Sequence, residues 1–163
     1  MVEAMEYSCN KKELYEEVKL QLKGLFEDCP HVVANLANAS AVLNRAMWDI
    51  NWVGFYVMEE GQLVLGPFQG KAACVEIKVG RGVCGTAVAE DATQLVKDVH
   101  AFPGHIACDG ASNSEIVIPI HVNGEVWGVL DIDSPLFGRF DEEDKDGLEK
   151  VVSVVEAMLG SNK

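Results

Sequence analysis

Apolar residues recur every three or four positions in three parts of the chain, the spacing typical of amphipathic helices. The first part runs from Lys11 to Glu27, and the second from His31 to Trp48. The third follows Asp141 and continues to Leu159, with Asp144 placed three residues after Asp141 as in a capping box. The pattern therefore predicts two N-terminal helices and one C-terminal helix.

Between these helices, runs of aromatic and β-branched residues are separated by turn residues, which indicates strands. Asn51 to Met58 and Leu63 to Phe68 flank Gly61 and predict a hairpin. Cys74 to Val79 alternates polar and apolar residues, which predicts a half-buried strand. Val83 to Ala89 is interpreted as a short helix, and Thr93 to Val96 as a short strand.

The last two strands are predicted from an apolar hairpin. Glu115 to Val122 and Glu125 to Ser134 are joined by Asn123-Gly124, a strong two-residue turn signal. Because hairpins link most neighbouring strands, we expect a largely antiparallel central sheet with helices packed on it, an α+β fold. We expect one domain over residues 1–163, with N-terminal helices at about 11–48, a sheet core at about 51–134 and a C-terminal helix at about 141–159.

Composition and charge limit the classes of partner. The 163 residues carry 13 basic and 26 acidic side chains, a formal net charge of −13. This balance argues against binding to nucleic acid or to an anionic membrane, since both require a basic face. The N-terminal sequence has neither the apolar stretch nor the cleavage site of a signal peptide, so we expect a cytoplasmic protein.

The cysteines are five in number, which favours cytosolic thiols over a disulfide framework. Cys74, Cys84 and Cys108 are too dispersed for a zinc motif, and His100 and His105 lie on a proline-containing loop, so no metal site is expected. Each cysteine is either a small buried residue or a redox-active one. Cys108, at the end of the polar loop, is a candidate nucleophile if its pKa is lowered.

Carboxylates on the last hairpin are the second candidate feature. Asp131 and Asp133 alternate within one strand, so both point to the same face of the sheet, and Glu115 begins the partner strand. These acids either lie on a solvated face or serve a ligand. Crowded carboxylates raise one another's pKa, which would leave a proton donor near neutral pH.

Five motifs in order then resemble one family. They are NWVGFY, GVCGTA, DVHAFPGHIACD, SEIVIPI and GVLDIDS. They closely resemble the free methionine-(R)-sulfoxide reductases, single-domain enzymes built on the GAF fold. The resemblance implies an oxidoreductase that acts on a sulfur group and reduces free L-methionine (R)-S-oxide to L-methionine.

The resemblance also implies roles for three cysteines. Cys108 matches the catalytic nucleophile, which would become a sulfenic acid, and Cys74 matches the resolving cysteine that condenses with it to a disulfide. Cys84 matches a third redox cysteine whose role varies among members. The reductant would be thioredoxin or a similar external dithiol, with no bound cofactor and no metal.

The remaining site residues implied by the resemblance bind the substrate. Glu115 is the first choice as proton donor to the sulfoxide oxygen, with Asp133 in support. Asp131 or Asp133 would pair with the substrate ammonium. Trp52 and Tyr56 match the aromatic wall, with Trp52 against the S-methyl group.

Two alternatives of other classes stay open from the sequence. The chain could be a non-catalytic GAF sensor that binds a small molecule such as a cyclic nucleotide, or a redox switch signalled by a Cys74–Cys108 disulfide. It could also be a dimerisation module. A homodimer formed through the first or the last helix is compatible with either reading.

Overall fold

The computed structural model of the chain describes residues 6–105 and 110–161. Within these residues the chain forms four α-helices, one short 3-10 helix and six strands. In order they are α1 (Lys11–Phe26), α2 (Val32–Ala46), β1 (Trp52–Glu59), β2 (Gln62–Gln69), β3 (Glu76–Lys78), α3 (Gly82–Glu90), β4 (Gln94–Val96), the 3-10 helix (Val99–Ala101), β5 (Ser114–Val122), β6 (Glu125–Ser134) and α4 (Glu142–Ser161). None of the described helices is both long enough and apolar enough to cross a bilayer.

The six strands form one sheet in the order β3-β2-β1-β6-β5-β4. Every neighbouring pair is antiparallel. Two hairpins, β1–β2 and β5–β6, meet where β1 pairs with β6 at the centre of the sheet. The largely antiparallel α+β fold predicted from the sequence is therefore confirmed.

Strand alternation divides the sheet residues between two cores. On one face, Phe55, Ile118 and Leu130 pack under the helices α1, α2 and α4. On the other face, Tyr56 and Val129 belong to a smaller core that α3 covers. The candidate site lies on this second face, since the larger core on the first face is closed by three helices.

The start of α4 is fixed by a reciprocal cap. The backbone N–H of Asp144 donates to Asp141 Oδ1 at 3.1 Å, and the backbone N–H of Asp141 donates to Asp144 Oδ2 at 2.9 Å. The Asp144 carboxylate is fully buried and also accepts from Lys11 Nζ at 2.8 Å and from the Tyr15 hydroxyl at 2.7 Å. The predicted capping box thus also attaches α4 to α1.

One strand is shorter and more exposed than its sequence pattern predicts. The expected half-buried strand from Cys74 to Val79 contains only the three residues of β3, and Val75 and Val79 are 62% and 41% exposed. Ile77 alone of its apolar residues is buried, at 6%. The reason is position: β3 is an edge strand that pairs with β2 over three residues.

Candidate active site

A pocket lies between the second face of the sheet and the start of α3. It brings together six of the residues predicted for the site. They are Trp52, Tyr56, Cys84, Glu115, Asp131 and Asp133. The predicted nucleophile, Cys108, lies outside the described residues.

Strand register places the three acids side by side. Asp133 in β6 lies opposite Trp52 in β1 and opposite Glu115 in β5. Asp131, two residues earlier, lies opposite Val117 in β5 and therefore points to the same face as Asp133. Glu115 and Asp131 are each only 6% exposed. The solvated-face alternative is therefore wrong for these two acids.

An aromatic wall forms one side of the pocket. The Trp52 ring stacks on Phe68, with centroids 5.1 Å apart, and on Tyr56 at 5.9 Å. Trp52 is 2% exposed, and its Nε1 donates to the backbone carbonyl of Lys71 at 3.1 Å. The Tyr56 hydroxyl donates to the backbone carbonyl of Cys74 at 2.9 Å. These bonds hold the loop after β2, including Cys74, against the wall of the pocket.

Burial raises the pKa of two carboxyl groups in the pocket. The pKa of Glu115 is raised well above its ordinary value, first by desolvation and then by the charges of Asp131 and Asp133. The pKa of Asp131 is also raised by burial, although hydrogen bonds from Glu115, Cys84 and Asp133 offset part of the rise. The hydrogen bond between the two carboxyl groups raises the pKa of Glu115 further and lowers that of Asp131, which favours Glu115 as the proton donor of the pair.

The described cysteines differ in environment. Cys84, in α3, is buried, and burial together with the charges of Asp131 and Glu115 raises the pKa of its thiol well above the usual range. A protonated thiol is a poor nucleophile. Cys74 is disulfide-bonded. Cys9 is an exposed free thiol.

The pocket is also lined by four polar residues that the sequence analysis did not predict for the site. They are Lys71, Arg81, His105 and Ser112. His105 Nε2 lies 3.9 Å from Glu115 Oε1, and burial lowers the pKa of the imidazole. All four lie outside the strands and the helices, where no periodicity marks the direction of a side chain. The one available signal was Arg81, placed between Gly80 and Gly82 in a turn.

The fold is that of a GAF domain, and the GAF domain family matches residues 26–159. The free methionine-R-sulfoxide reductase of Escherichia coli (strain K12) is 54% identical over 152 residues, which are 93% of this chain and 92% of that protein. The protein of the same name from Saccharomyces cerevisiae is 49% identical over 154 residues, 90% of this chain and 86% of its own length.

Solved structures give the same result. The X-ray structure of free methionine-R-sulfoxide reductase from Neisseria meningitidis, in complex with its substrate, has a TM-score of 0.93 and 43% identity. The match covers 99% of this chain and 98% of the chain in that structure. The chain therefore belongs to the free methionine-R-sulfoxide reductase family of GAF domain proteins.

Proposed function

We propose that this protein reduces free methionine-R-sulfoxide to methionine. The observation that carries the proposal is a 54% identity, over 93% of the chain, to a relative named for this activity. The pocket supports it independently, since a buried carboxyl group of raised pKa, two further acids and an aromatic wall suit a small zwitterion with a sulfoxide.

The proposed chemistry joins a thiol to the Glu115 proton. The Cys108 thiolate attacks the sulfoxide sulfur while Glu115 protonates the oxygen, because an unprotonated oxide is a poor leaving group. The attack forms a bond between the two sulfur atoms. Transfer of the hydroxyl group from the substrate sulfur to the Cys108 sulfur then breaks this bond and the sulfur–oxygen bond of the substrate, which releases methionine and leaves Cys108 as a sulfenic acid. The sulfur of the substrate is reduced, and the Cys108 sulfur is oxidised.

In the proposed binding mode, the two charged ends of the amino acid meet opposite charges. The ammonium pairs with Asp131 or Asp133, and the S-methyl group packs on Trp52. The carboxylate takes backbone N–H groups of residues 97–106, of which Ile106 lies outside the described residues, or of a helix start. Lys71 and Arg81 at the pocket wall contribute positive charge. A methionine sulfoxide within a polypeptide lacks both charged ends, so this binding mode selects the free amino acid.

We further propose that Cys74 resolves the sulfenic acid by forming a disulfide with Cys108 and releasing water. The disulfide at Cys74 supports a redox role for this residue. Thioredoxin or a similar dithiol in the cytoplasm would then restore both thiols by exchange. No cofactor takes part in this cycle.

The test is methionine formation from the R-epimer and, separately, from the S-epimer of free methionine sulfoxide, with dithiothreitol as reductant. We expect turnover of the R-epimer only, its loss in Cys108→Ser, and no change in the control Cys29→Ser. No turnover of either epimer by folded, reduced protein would contradict the proposal and favour the non-catalytic sensor.

A further inference from the structure

We propose that the pocket also binds a thiophilic divalent cation, Zn²⁺ or Cd²⁺, through Cys84, Glu115 and Asp131. The three residues come from α3, β5 and β6 and are far apart in the sequence, so no ligand motif marks them. In the fold, Cys84 Sγ and one carboxylate oxygen of each acid lie within 4.8 Å of one another. Zinc takes sulfur at about 2.3 Å and carboxylate oxygen at about 2.1 Å, so small side-chain rotations would close this group around the ion.

A second observation concerns the hydrogen bonding of Asp131. Its Oδ1 is buried and has no hydrogen-bond partner among the described residues, although the residue is only 6% exposed. A buried carboxylate oxygen without a donor is unfavourable, because desolvation is not compensated. A cation beside Cys84 would supply the missing positive charge at this oxygen.

His105 lies beside the group of three ligands and is a candidate for a fourth. Its Nε2 lies 3.9 Å from Glu115 Oε1, and its side chain is only 16% exposed. The neutral imidazole is the form that binds a metal. One thiolate, one imidazole and two carboxylates are all ligand types that zinc accepts.

Cation binding must displace protons from this site. The Cys84 thiol and the Glu115 carboxyl both lose a proton when they coordinate, so binding weakens as pH falls. The negative charge of Asp133 favours binding of the cation, whereas the positive charges of Lys71 and Arg81 oppose it. Apart from Cys84, Glu115 and Asp131, the titratable groups that line the pocket are Tyr56, Lys71, Arg81, His105 and Asp133.

One consequence rests on the proposed function. If the substrate ammonium pairs with Asp131 or Asp133, cation and substrate occupy overlapping positions, and the cation inhibits competitively. Cation binding itself does not depend on that assignment, so the two can fail separately.

The experiment titrates the oxidised protein with Cd²⁺, without reductant, in a Cys9→Ser/Cys29→Ser background. Cys84 is then the free thiol left among the described residues. The readout is the ultraviolet charge-transfer band of cadmium bound to thiolate. Cys84→Ser and Asp131→Asn are compared in the same background, with His31→Ala, at an exposed histidine that does not line the pocket, as the control.

We expect one equivalent of Cd²⁺ to saturate the band, and Cys84→Ser to abolish it. Asp131→Asn should weaken binding at least about 10-fold, while His31→Ala leaves it unchanged. Circular dichroism checks folding, and Glu115→Gln, a nearly isosteric change, decides the question if Asp131→Asn does not fold. Absence of the band, or a band of equal affinity in the carboxylate variants, would overturn the cation site.

Methionine-R-sulfoxide is then added to the cadmium-loaded protein. A rise in the apparent Kd for Cd²⁺ is the expected result. If the protein reduces the sulfoxide but shows no cadmium–thiolate band, the cation site alone is contradicted. If the band is normal, but the sulfoxide neither competes with Cd²⁺ nor is reduced, the proposed function alone is contradicted.

Discussion

At the scale of single residues, the proposed reaction depends on where one proton resides. Glu115 and Asp131 are both buried on adjacent strands, and the pKa of each carboxyl group is raised, which favours retention of a proton by the pair. Desolvation is the largest cause for each. The cost of burying two carboxyl groups is thus what keeps a proton available in the pocket.

Glu115→Gln should lower the rate of methionine formation about 100-fold or more, since it removes the proton donor while keeping the shape of the side chain. In the wild type, the rate should fall as pH rises through the raised pKa of Glu115, because the donor ionises. The variant should lack this fall and keep the rise with pH that comes from thiolate formation. The pH profile of kcat/KM for the R-epimer checks this, and an unchanged rate would remove Glu115 as the donor.

The same substitution should change the pH dependence of stability. The folded-state pKa of Glu115 is raised, so the unfolded chain loses this proton first as pH rises, and the free energy of unfolding falls above the ordinary pKa of glutamate. Glu115→Gln removes this contribution, so the variant should gain stability relative to the wild type with rising pH. Urea unfolding between acidic and mildly alkaline pH measures the difference. A constant difference across that range would mean that the carboxyl is not perturbed.

At the scale of elements, the pocket depends on close contact between β1 and β2. The register between these strands shifts between Gly54 and Tyr56, and a Cβ atom at Gly54 would overlap the Cβ of Phe68. Phe68 in turn stacks on Trp52. The absence of a side chain at Gly54 therefore lets the aromatic wall close.

Gly54→Ala should destabilise the fold by about 1–3 kcal/mol, because the added methyl group overlaps backbone and side-chain atoms of β2. The matched control is Gly24→Ala in α1, where nothing lies within 4 Å and alanine favours the helix by up to about 1 kcal/mol. Urea unfolding of both variants checks the pair. Equal stabilities would contradict the packing argument.

The cap of α4 makes a second prediction at this scale. Asp144→Asn removes a fully buried charge and leaves Lys11 without its buried partner, which should cost about 3–5 kcal/mol. Asp146→Asn is the control, because its pair with Lys150 is exposed and contributes little. Thermal or urea unfolding measures both. Activity of folded Asp144→Asn toward the R-epimer should stay normal, since Asp144 lies away from the pocket.

The sequence predicted those elements whose signal is local. The Asn123-Gly124 turn has positive φ at both residues, as its hairpin requires, and alternation placed Asp131 and Asp133 on one face. Alternation was misleading at β3, where Val75 is exposed, because local pattern does not tell an edge strand from a central one.

Pairings between distant segments were not predictable in this way. Cys84 meets Glu115 and Asp131 only because α3 covers the face on which β5 and β6 present their acids. Lys71 and Arg81 reach the pocket from turns, where no period relates sequence position to direction. The resemblance thus predicted residues and chemistry for the candidate site, whereas the contacts between these residues could be read only from the folded structure.

At the scale of the whole molecule, the proposed cycle changes the number of free thiols. The chain has five cysteines, and Cys9, Cys29 and Cys84 are free while Cys74 is in a disulfide. Cys84 differs from the other two because it is buried under α3 with a raised pKa, which disfavours its taking part in exchange. Each turnover without reductant should therefore consume the same two thiols.

Reduced protein treated with one equivalent of the R-epimer should fall from five to three titratable thiols per chain, measured after denaturation, as one methionine forms. Cys74→Ala should still form one methionine but lose only one thiol, as a sulfenic acid that a dimedone probe captures, and should stall with thioredoxin. Cys84→Ser is the control and should lose two thiols like the wild type. Loss of two thiols in Cys74→Ala would instead assign the resolving step to Cys84, because the buried thiol would then reach the sulfenic acid despite its raised pKa.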